Sequence, residues 1–464
     1  MKITVFQSDK GDCLLIEGND GKRVLVDGGM PDSYSHHVAP YLNNLQQNGD
    51  NLDVVYVSHI DEDHISGILQ MMDDAVAWRI YDYQTTDGGN PSYPEPKVPR
   101  PPAVDRVWHN AFHELVGDNE GKIEDMLAAT TAVLAGGEAQ KYIRMAQFHQ
   151  NVATSIRQAI NLSRRLGEKQ LDIRLNPEAK GKLMMLRRKQ NGKPETPISI
   201  GGMNWSIIGP FSSDLEKLKD EWNTWLKKNE KTLARVEVNS RRDERRIGNS
   251  LPNEINRIVS VAASQAEQLA FNLLSELDLK APKVLGNRQK VTVPNLASLM
   301  FLVEEKSANG KVKTLLLTGD GHHKDILNGL EYQRKLKTGE PLFVDVLKIQ
   351  HHGSEHNLDL KFCQRVIADH YIFCGNGAHQ NPDLDVVEAV IDSRIAGEHQ
   401  GTHPQVGKPF KLWFNSSSTN TETEPENAAH MKKVEDLVTT AAEKSNGKLE
   451  HFFLKDSFFE IDTL

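Results

Sequence analysis

Three things are scarce in this 464-residue chain: cysteine, long apolar runs and positive charge. Its three cysteines, Cys13, Cys363 and Cys374, cannot build a disulfide framework and lack the paired spacing of a structural zinc site, so they read as core thiols. No window approaches the roughly 18 uninterrupted apolar residues of a membrane span, which predicts a protein with no membrane-embedded part. The opening MKITVFQSDKGD runs straight into a strand-like pattern with no apolar stretch of signal-peptide length, and the expectation is a cytoplasmic protein. With 55 basic against 64 acidic residues, a formal charge of −9 argues against coating nucleic acid by bulk electrostatics. It leaves room for an enzyme that grips phosphates locally.

What is present fits an α/β protein with a substantial core: 38% hydrophobic and 26% charged residues over a length that calls for one large domain with insertions or for two domains. MKITVFQ, DCLLIEG and RVLVDGG alternate with turns as a β-meander, and LDVVYVSH suits a strand buried on both faces. From about Thr85 a Gly- and Pro-rich segment breaks regular structure, and helical periodicity follows over about 104–166. ISIGGMNWSIIGP reads as a β pair turning at Gly-Gly, and a charged helical stretch comes next. ASLMFLVEE and KTLLLTGD form a hairpin pattern. DVLKIQHHGS and ADHYIFCGNG each run from an apolar strand into a polar loop, and the tail combines strands with one helix.

The sharpest chemical signal is Ser58-His59-Ile60-Asp61-Glu62-Asp63-His64, directly after LDVVYV. Two histidines and two aspartates on a turn leaving a buried strand can converge on one point without help from distant chain, which is the usual trace of a metal site. The competing reading is a solvated acidic loop whose histidines cap the next helix; Gly67 speaks against it by letting the chain pass close behind the cluster. His36 and His37 sit in a polar helix and read as solvent-facing, as does the pair His322 and His323.

These residues resemble the metallo-β-lactamase-fold hydrolases, whose hallmark is H-x-H-x-D-H after a core strand. The variant here, H-x-D-x-D-H, is similar to that of the soluble nuclease-like domain of the ComEC DNA-uptake proteins. GDCLLIE with RVLVDGG resembles the group's opening hairpin, LLLTGD its later Asp motif and LKIQHHGS its final His motif, in the same order. The resemblance covers about 1–85, 198–212 and 290–402. It implies an αββα metallo-β-lactamase sandwich: first half 1–85, mainly helical insertion 86–197, core strand pair 198–212, charged helical insertion 213–289, second half 290–402 and an α/β extension 403–464.

The resemblance also implies the roles. His59 and Asp61 bind one metal ion, Asp63 and His64 a second, Asp320 bridges both, and His352, in preference to His351, completes the second site. Asp27 braces the metal loop. The family's further histidine for the first ion has no counterpart: VPNLASLMFLVEE offers Asn295 and Ser298. Carboxylate and amide in place of imidazole harden the ligand set, tilting two divalent ions from zinc toward manganese or magnesium. Asp63 and Asp320 are then catalytic as well as metal-binding. His379 in GNGAHQNPD either assists the leaving group and phosphate or packs a Pro turn, and Lys348 either contacts phosphate or lies at a strand edge.

The implied reaction is hydrolysis by a metal-bridging hydroxide, with a phosphodiester, most naturally nucleic acid, as substrate. Arg187-Arg188-Lys189 and Arg241-Arg242 with Arg245-Arg246 either guide nucleic acid or are solvated faces. Two alternatives stay open: hydrolysis of a lactone, thioester or lactam, and a metal-stabilised scaffold in a multi-protein, possibly defence, system. The helical insertions are candidate surfaces for a protein partner or a second copy.

Overall fold

The computed structural model describes residues 1–110, 158, 161–188, 192–213, 215–216, 295, 297–307, 309–395, 397–420 and 424–463. The chain divides into two compact units, 1–110 with 161–214 and 284–464, and 111–160 with 215–283. Nearly all of the second lies outside the described residues, including the expected charged helical insertion and the Arg241–Arg246 cluster.

Short apolar runs rich in Val, Ile and Leu make the strands of the first unit, as their β-branched content favours. One sheet takes β1 (Lys2–Phe6), β2 (Leu14–Glu17), β3 (Arg23–Val26), β4 (Val54–Tyr56), β5 (Arg106–Trp108) and β6 (Arg174–Leu175) in that order. The other runs from β7 (Ile198–Ile200) through β8 (Met203–Gly209), β9 (Met300–Lys306), β10 (Val312–Leu317), β11 (Leu342–Lys348), β12 (Val366–Phe373) and β13 (Phe410–Phe414) to β14 (Leu449–Phe453). The final strand β15 (Phe458–Asp462) crosses back to pair antiparallel with β1. Both sheets are mixed: β3, β4, β5 and β6 are parallel, as are β10 to β14, and the rest are antiparallel.

An apolar cluster joins residues of both sheets, among them Ile3, Val5, Val24, Val54, Val303 and Val346. Trp108, Trp205 and Phe301 pack there with ring centroids 5.3–5.5 Å apart. A second cluster lies between the β7–β14 sheet and its helices: α3 (His323–Tyr332), α4 (Leu360–Arg365), α5 (Leu384–Ile395) and α6 (Pro425–Lys444). The earlier helices are α1 (Ala39–Gln47) and α2 (Glu62–Thr85). The architecture is thus an α/β two-sheet sandwich consistent with the metallo-β-lactamase fold. No described helix is long and apolar enough to cross a membrane.

Within segment 86–197, expected to be mainly helical, β5 and β6 extend the first sheet; strands of three and two residues are too short to show against a helical periodicity. Its stretch 111–157 lies outside the described residues. In the α/β extension 403–464, β13 and β14 continue one sheet and β15 edges the other. All three cysteines are buried and unpaired, as core thiols are.

Candidate metal centre

The site forms where β4 ends. Residues after Tyr56 leave the sheet, Asp61 stands at the N-cap position of α2, and Asp63 and His64 occupy that helix's first turn. The turn is drawn tight because Gly28, after β3, and Gly67, in α2, touch backbone to backbone. A Cβ on Gly67 would come within 2.0 Å of the Gly28 carbonyl oxygen, so neither position tolerates a side chain.

Asp27 orients the whole loop. Its Oδ1 accepts the Ser58 amide (2.7 Å), and its Oδ2 accepts the Ser58 hydroxyl (2.7 Å) and faces His64 Nδ1 at 2.9 Å. Since Ser58 gives its only hydroxyl proton to Asp27, it can meet His59 Nδ1 (3.0 Å) only as an acceptor. Both imidazoles therefore carry their proton on Nδ1 and turn Nε2 inward, the arrangement by which a carboxylate fixes a metal-ligating histidine. This is the bracing role expected of Asp27.

The second half of the site comes from the loops after β10 and β11. Asp320, 2% exposed, places Oδ1 3.4 Å from His64 Nε2. Its Oδ2 is 3.6 Å from the Nε2 atoms of His59, His351 and His352. His352 turns Nδ1 to the Cys374 carbonyl (2.8 Å), and its Nε2 is 3.1 Å from Asp63 Oδ2 and 3.4 Å from His64 Nε2. Asp61, one-third exposed, has Oδ2 3.6 Å from His59 Nε2. The structure thus brings His59, Asp61, Asp63, His64, Asp320 and His352, the residues named by the resemblance, into one cluster with His351 beside them.

Two facts test whether this cluster fits metal. Among the described residues the buried His59 Nε2 and Asp320 Oδ1 have no hydrogen-bond partner, an arrangement that costs free energy unless something else satisfies them. The charge balance points the same way. Burial lowers the affinity of His64 and His352 for protons, yet the surrounding carboxylates, Asp320 foremost, outweigh it, holding His64 well above its ordinary pKa and raising His352 to about 10. Burial pushes Asp63 and Asp320 upward, and the histidines overcome that too, holding both carboxyls low. The cavity calls for positive charge at its centre, and its mixed nitrogen and oxygen donors suit a divalent cation.

One group went unnoticed in the sequence. Asp12, in the turn before β2, is 2% exposed and ion-paired with Lys348; its Oδ1 lies 3.3 Å from His352 Nδ1. Although Asp12, His64 and His352 are close enough to form a ligand triad, the Nδ1 atoms facing Asp12 are already bonded to Asp27 and the Cys374 carbonyl. Asp12 is better placed as a counter-charge below the site. A clue was available: a lysine inside the apolar run DVLKI needs a buried carboxylate.

Three expectations change. Lys348 is neither at a strand edge nor open to substrate; β11 lies between β10 and β12, and its ammonium is buried against Asp12. His322 and His323 are buried rather than at the surface, because His322 caps α3 by accepting the Lys324 amide and His323 faces Asp359. The side chain that hydrogen-bonds the Pro382 carbonyl is His430, and His379 is exposed at φ 55°. Its loop still borders the site, since Gly375 lies against His352 and the Asp383 amide bonds Gly353. His36 is exposed as expected, while His37 is half-buried with Nδ1 3.0 Å from Ser457 Oγ. Arg187 and Arg188 are exposed; Lys189 lies outside the described residues.

Fold and site together define an α/β sandwich with a buried histidine–aspartate centre able to hold divalent metal. Residues 8–131 match the model of the Metallo-beta-lactamase superfamily. That stretch contains Asp12, Asp27 and the whole Ser58–His64 motif. Comparison with curated proteins finds no match.

Proposed function

We propose that this protein is a metal-dependent hydrolase that cleaves phosphodiesters, with nucleic acid as the substrate class. The carrying observation is the convergence of the His59, His64 and His352 Nε2 atoms on Asp320, with the Asp61 carboxylate against His59 Nε2 and the Asp63 carboxylate against His352 Nε2. The superfamily match supports the hydrolase class. Support for phosphoryl chemistry comes from Asp61, which stands where the resembling family has histidine and hardens the donor set toward manganese or magnesium.

His59 and Asp61 would hold one cation, Asp63, His64 and His352 the other, and Asp320 both. Such a pair, when bound, supplies a polarised water and neutralises charge on the scissile group. The chain's own part is positioning. Asp27 and Ser58 hold the imidazoles of His59 and His64 in the donor tautomer. His379, exposed on the bordering loop, can pass a proton to the leaving oxygen. One observation favours a second reading, opening of a lactone, thioester or lactam: Lys348, expected as a phosphate contact, is neutralised by Asp12.

The test is metal analysis of the purified protein beside a panel of single-stranded DNA, duplex DNA, RNA and bis-p-nitrophenyl phosphate with zinc, manganese and magnesium. Manganese-stimulated phosphodiester cleavage, abolished by Asp63→Ala and reduced but retained in His379→Ala, is expected. Opening of lactones or thioesters with no phosphodiester cleaved replaces the proposal with the second reading.

A further inference from the structure

We infer that His351 is the imidazole that completes the first cation site beside His59 and Asp61, taking the place of a histidine that the chain does not supply from the segment before β9. The inference rests on the reading of this pocket as a metal centre.

Hydrogen bonding fixes the ring's tautomer. The Asn357 amide nitrogen donates to the Asp320 carbonyl at 2.7 Å, so the Asn357 oxygen is the atom presented to His351 Nδ1 at 2.6 Å. An amide oxygen only accepts; hence Nδ1 carries the proton and Nε2 is left with its lone pair. That Nε2 lies 3.6 Å from Asp320 Oδ2, matching the distance from His59 Nε2 to the same oxygen. The Asn295 amide nitrogen is also near, at 3.4 Å from Nδ1 and 3.3 Å from Nε2. Nearly equal distances to both ring nitrogens place it along the lone pair of neither.

The backbone gives an independent sign. His351 and His352 are consecutive non-glycine residues in the left-handed region, at φ 48° and 55°. Each such residue costs on the order of 1–3 kcal/mol, and strain of this kind is retained where surrounding structure requires it. In an extended chain, neighbouring side chains point to opposite faces. Here both rings reach the same carboxylate oxygen.

The segment before β9 is otherwise engaged. Ser298 Oγ accepts the Asp320 amide at 3.2 Å, and Asn295 lies against the His351 ring. At 25% side-chain exposure His351 is more open than His59 or His352, so the first cation would lie on the accessible side of the cluster.

The test uses the full chain, stripped with chelator and titrated with Mn²⁺ by calorimetry and elemental analysis, with the visible spectrum of the Co²⁺-loaded protein as a report on ligand number. His351→Asn, in which the new residue tolerates the left-handed backbone, and His351→Ala are compared with wild type and with His352→Asn; circular dichroism checks folding. Wild type should bind two ions. His351→Asn should weaken one of them at least about tenfold and alter the Co²⁺ spectrum, while His352→Asn weakens the other. Two ions bound with unchanged affinity and spectrum in His351→Asn overturn this assignment and leave the metal centre standing. Failure of wild type to bind any ion overturns the metal reading itself, and this assignment with it.

Discussion

Asp12 and Asp320 approach opposite nitrogens of one imidazole: His352 Nδ1 is 3.3 Å from Asp12 Oδ1, and His352 Nε2 is 3.6 Å from Asp320 Oδ2. Both carboxylates are 2% exposed, and burial alone would make both costly to ionise. Asp12 carries its counter-charge with it, in the ammonium of Lys348, which the pairing holds above its ordinary pKa despite burial. Among the described residues the ion pairs of Asp320 are with imidazoles, whose other nitrogens are already occupied by Asp27, Ser58, Asn357 and the Cys374 carbonyl. The difference separates a carboxylate neutralised by a buried ammonium from one that faces only the inward nitrogens of the cluster, and on the reading proposed above the second is the metal ligand.

The comparison breaks most visibly at Asp320. Asp320→Ala should remove both ions and lower hydrolysis about a thousandfold or more, since metal stabilisation of the transition state is worth several kcal/mol, while the melting temperature of the chelated protein changes far less. Elemental analysis and single-turnover rates check this. At the other aspartate the signs reverse. Lys348→Met leaves Asp12 buried and unpaired and should cost about 3–5 kcal/mol in urea unfolding, whereas the double variant Lys348→Met with Asp12→Leu should recover most of that loss.

Acid titration sharpens the same contrast. Burial raises the Asp12 pKa, but Lys348, His64 and His352 outweigh it and lower the group to about 2, below the ordinary carboxylate range. A depressed carboxylate contributes stability above its unfolded pKa and loses it as pH falls through the folded one. About 2 kcal/mol should therefore disappear between roughly pH 4 and pH 2 in chelated wild type, and that part of the acid slope should be missing in the double variant. An effect of similar size, on binding rather than on folding, is expected from Asp27→Asn, which keeps the fold and every ligand but frees His64 and His59 to change tautomer. Metal affinity should fall about 10- to 100-fold by calorimetry.

How much of this was visible in the sequence follows from where each constraint resides. Ser58 to His64 form one contiguous turn after a buried strand, so their convergence could be read from spacing, and Gly67 gave away the close packing behind it. Asp27, Asp320 and His352 were placed by motif resemblance and by strand ends that survive in the structure. Asp12 was not legible because its partner lies in the opposite sheet; a turn aspartate looks solvated until β2 and β11 are packed together. The motif resemblance put His352 ahead of His351 and gave His351 no place of its own, because the direction of its ring depends on a left-handed backbone that spacing does not encode. His322 and His323 were misread for a related reason: one cap hydrogen bond and one carboxylate across the loop bury a pair that looks polar in one dimension. β5 and β6 escaped notice because two or three residues are too few to show an alternation.

The central claim is that Asp320 sits between two cations. A crystal of the full chain grown with Mn²⁺ and measured at the manganese absorption edge tests it directly. Two anomalous peaks about 3.5–4 Å apart on either side of the Asp320 carboxylate, one against His59 and Asp61 and the other against Asp63, His64 and His352, are the predicted result. Peaks absent from this pocket in metal-saturated crystals, or a peak at Asp12 with Lys348 displaced, would contradict it.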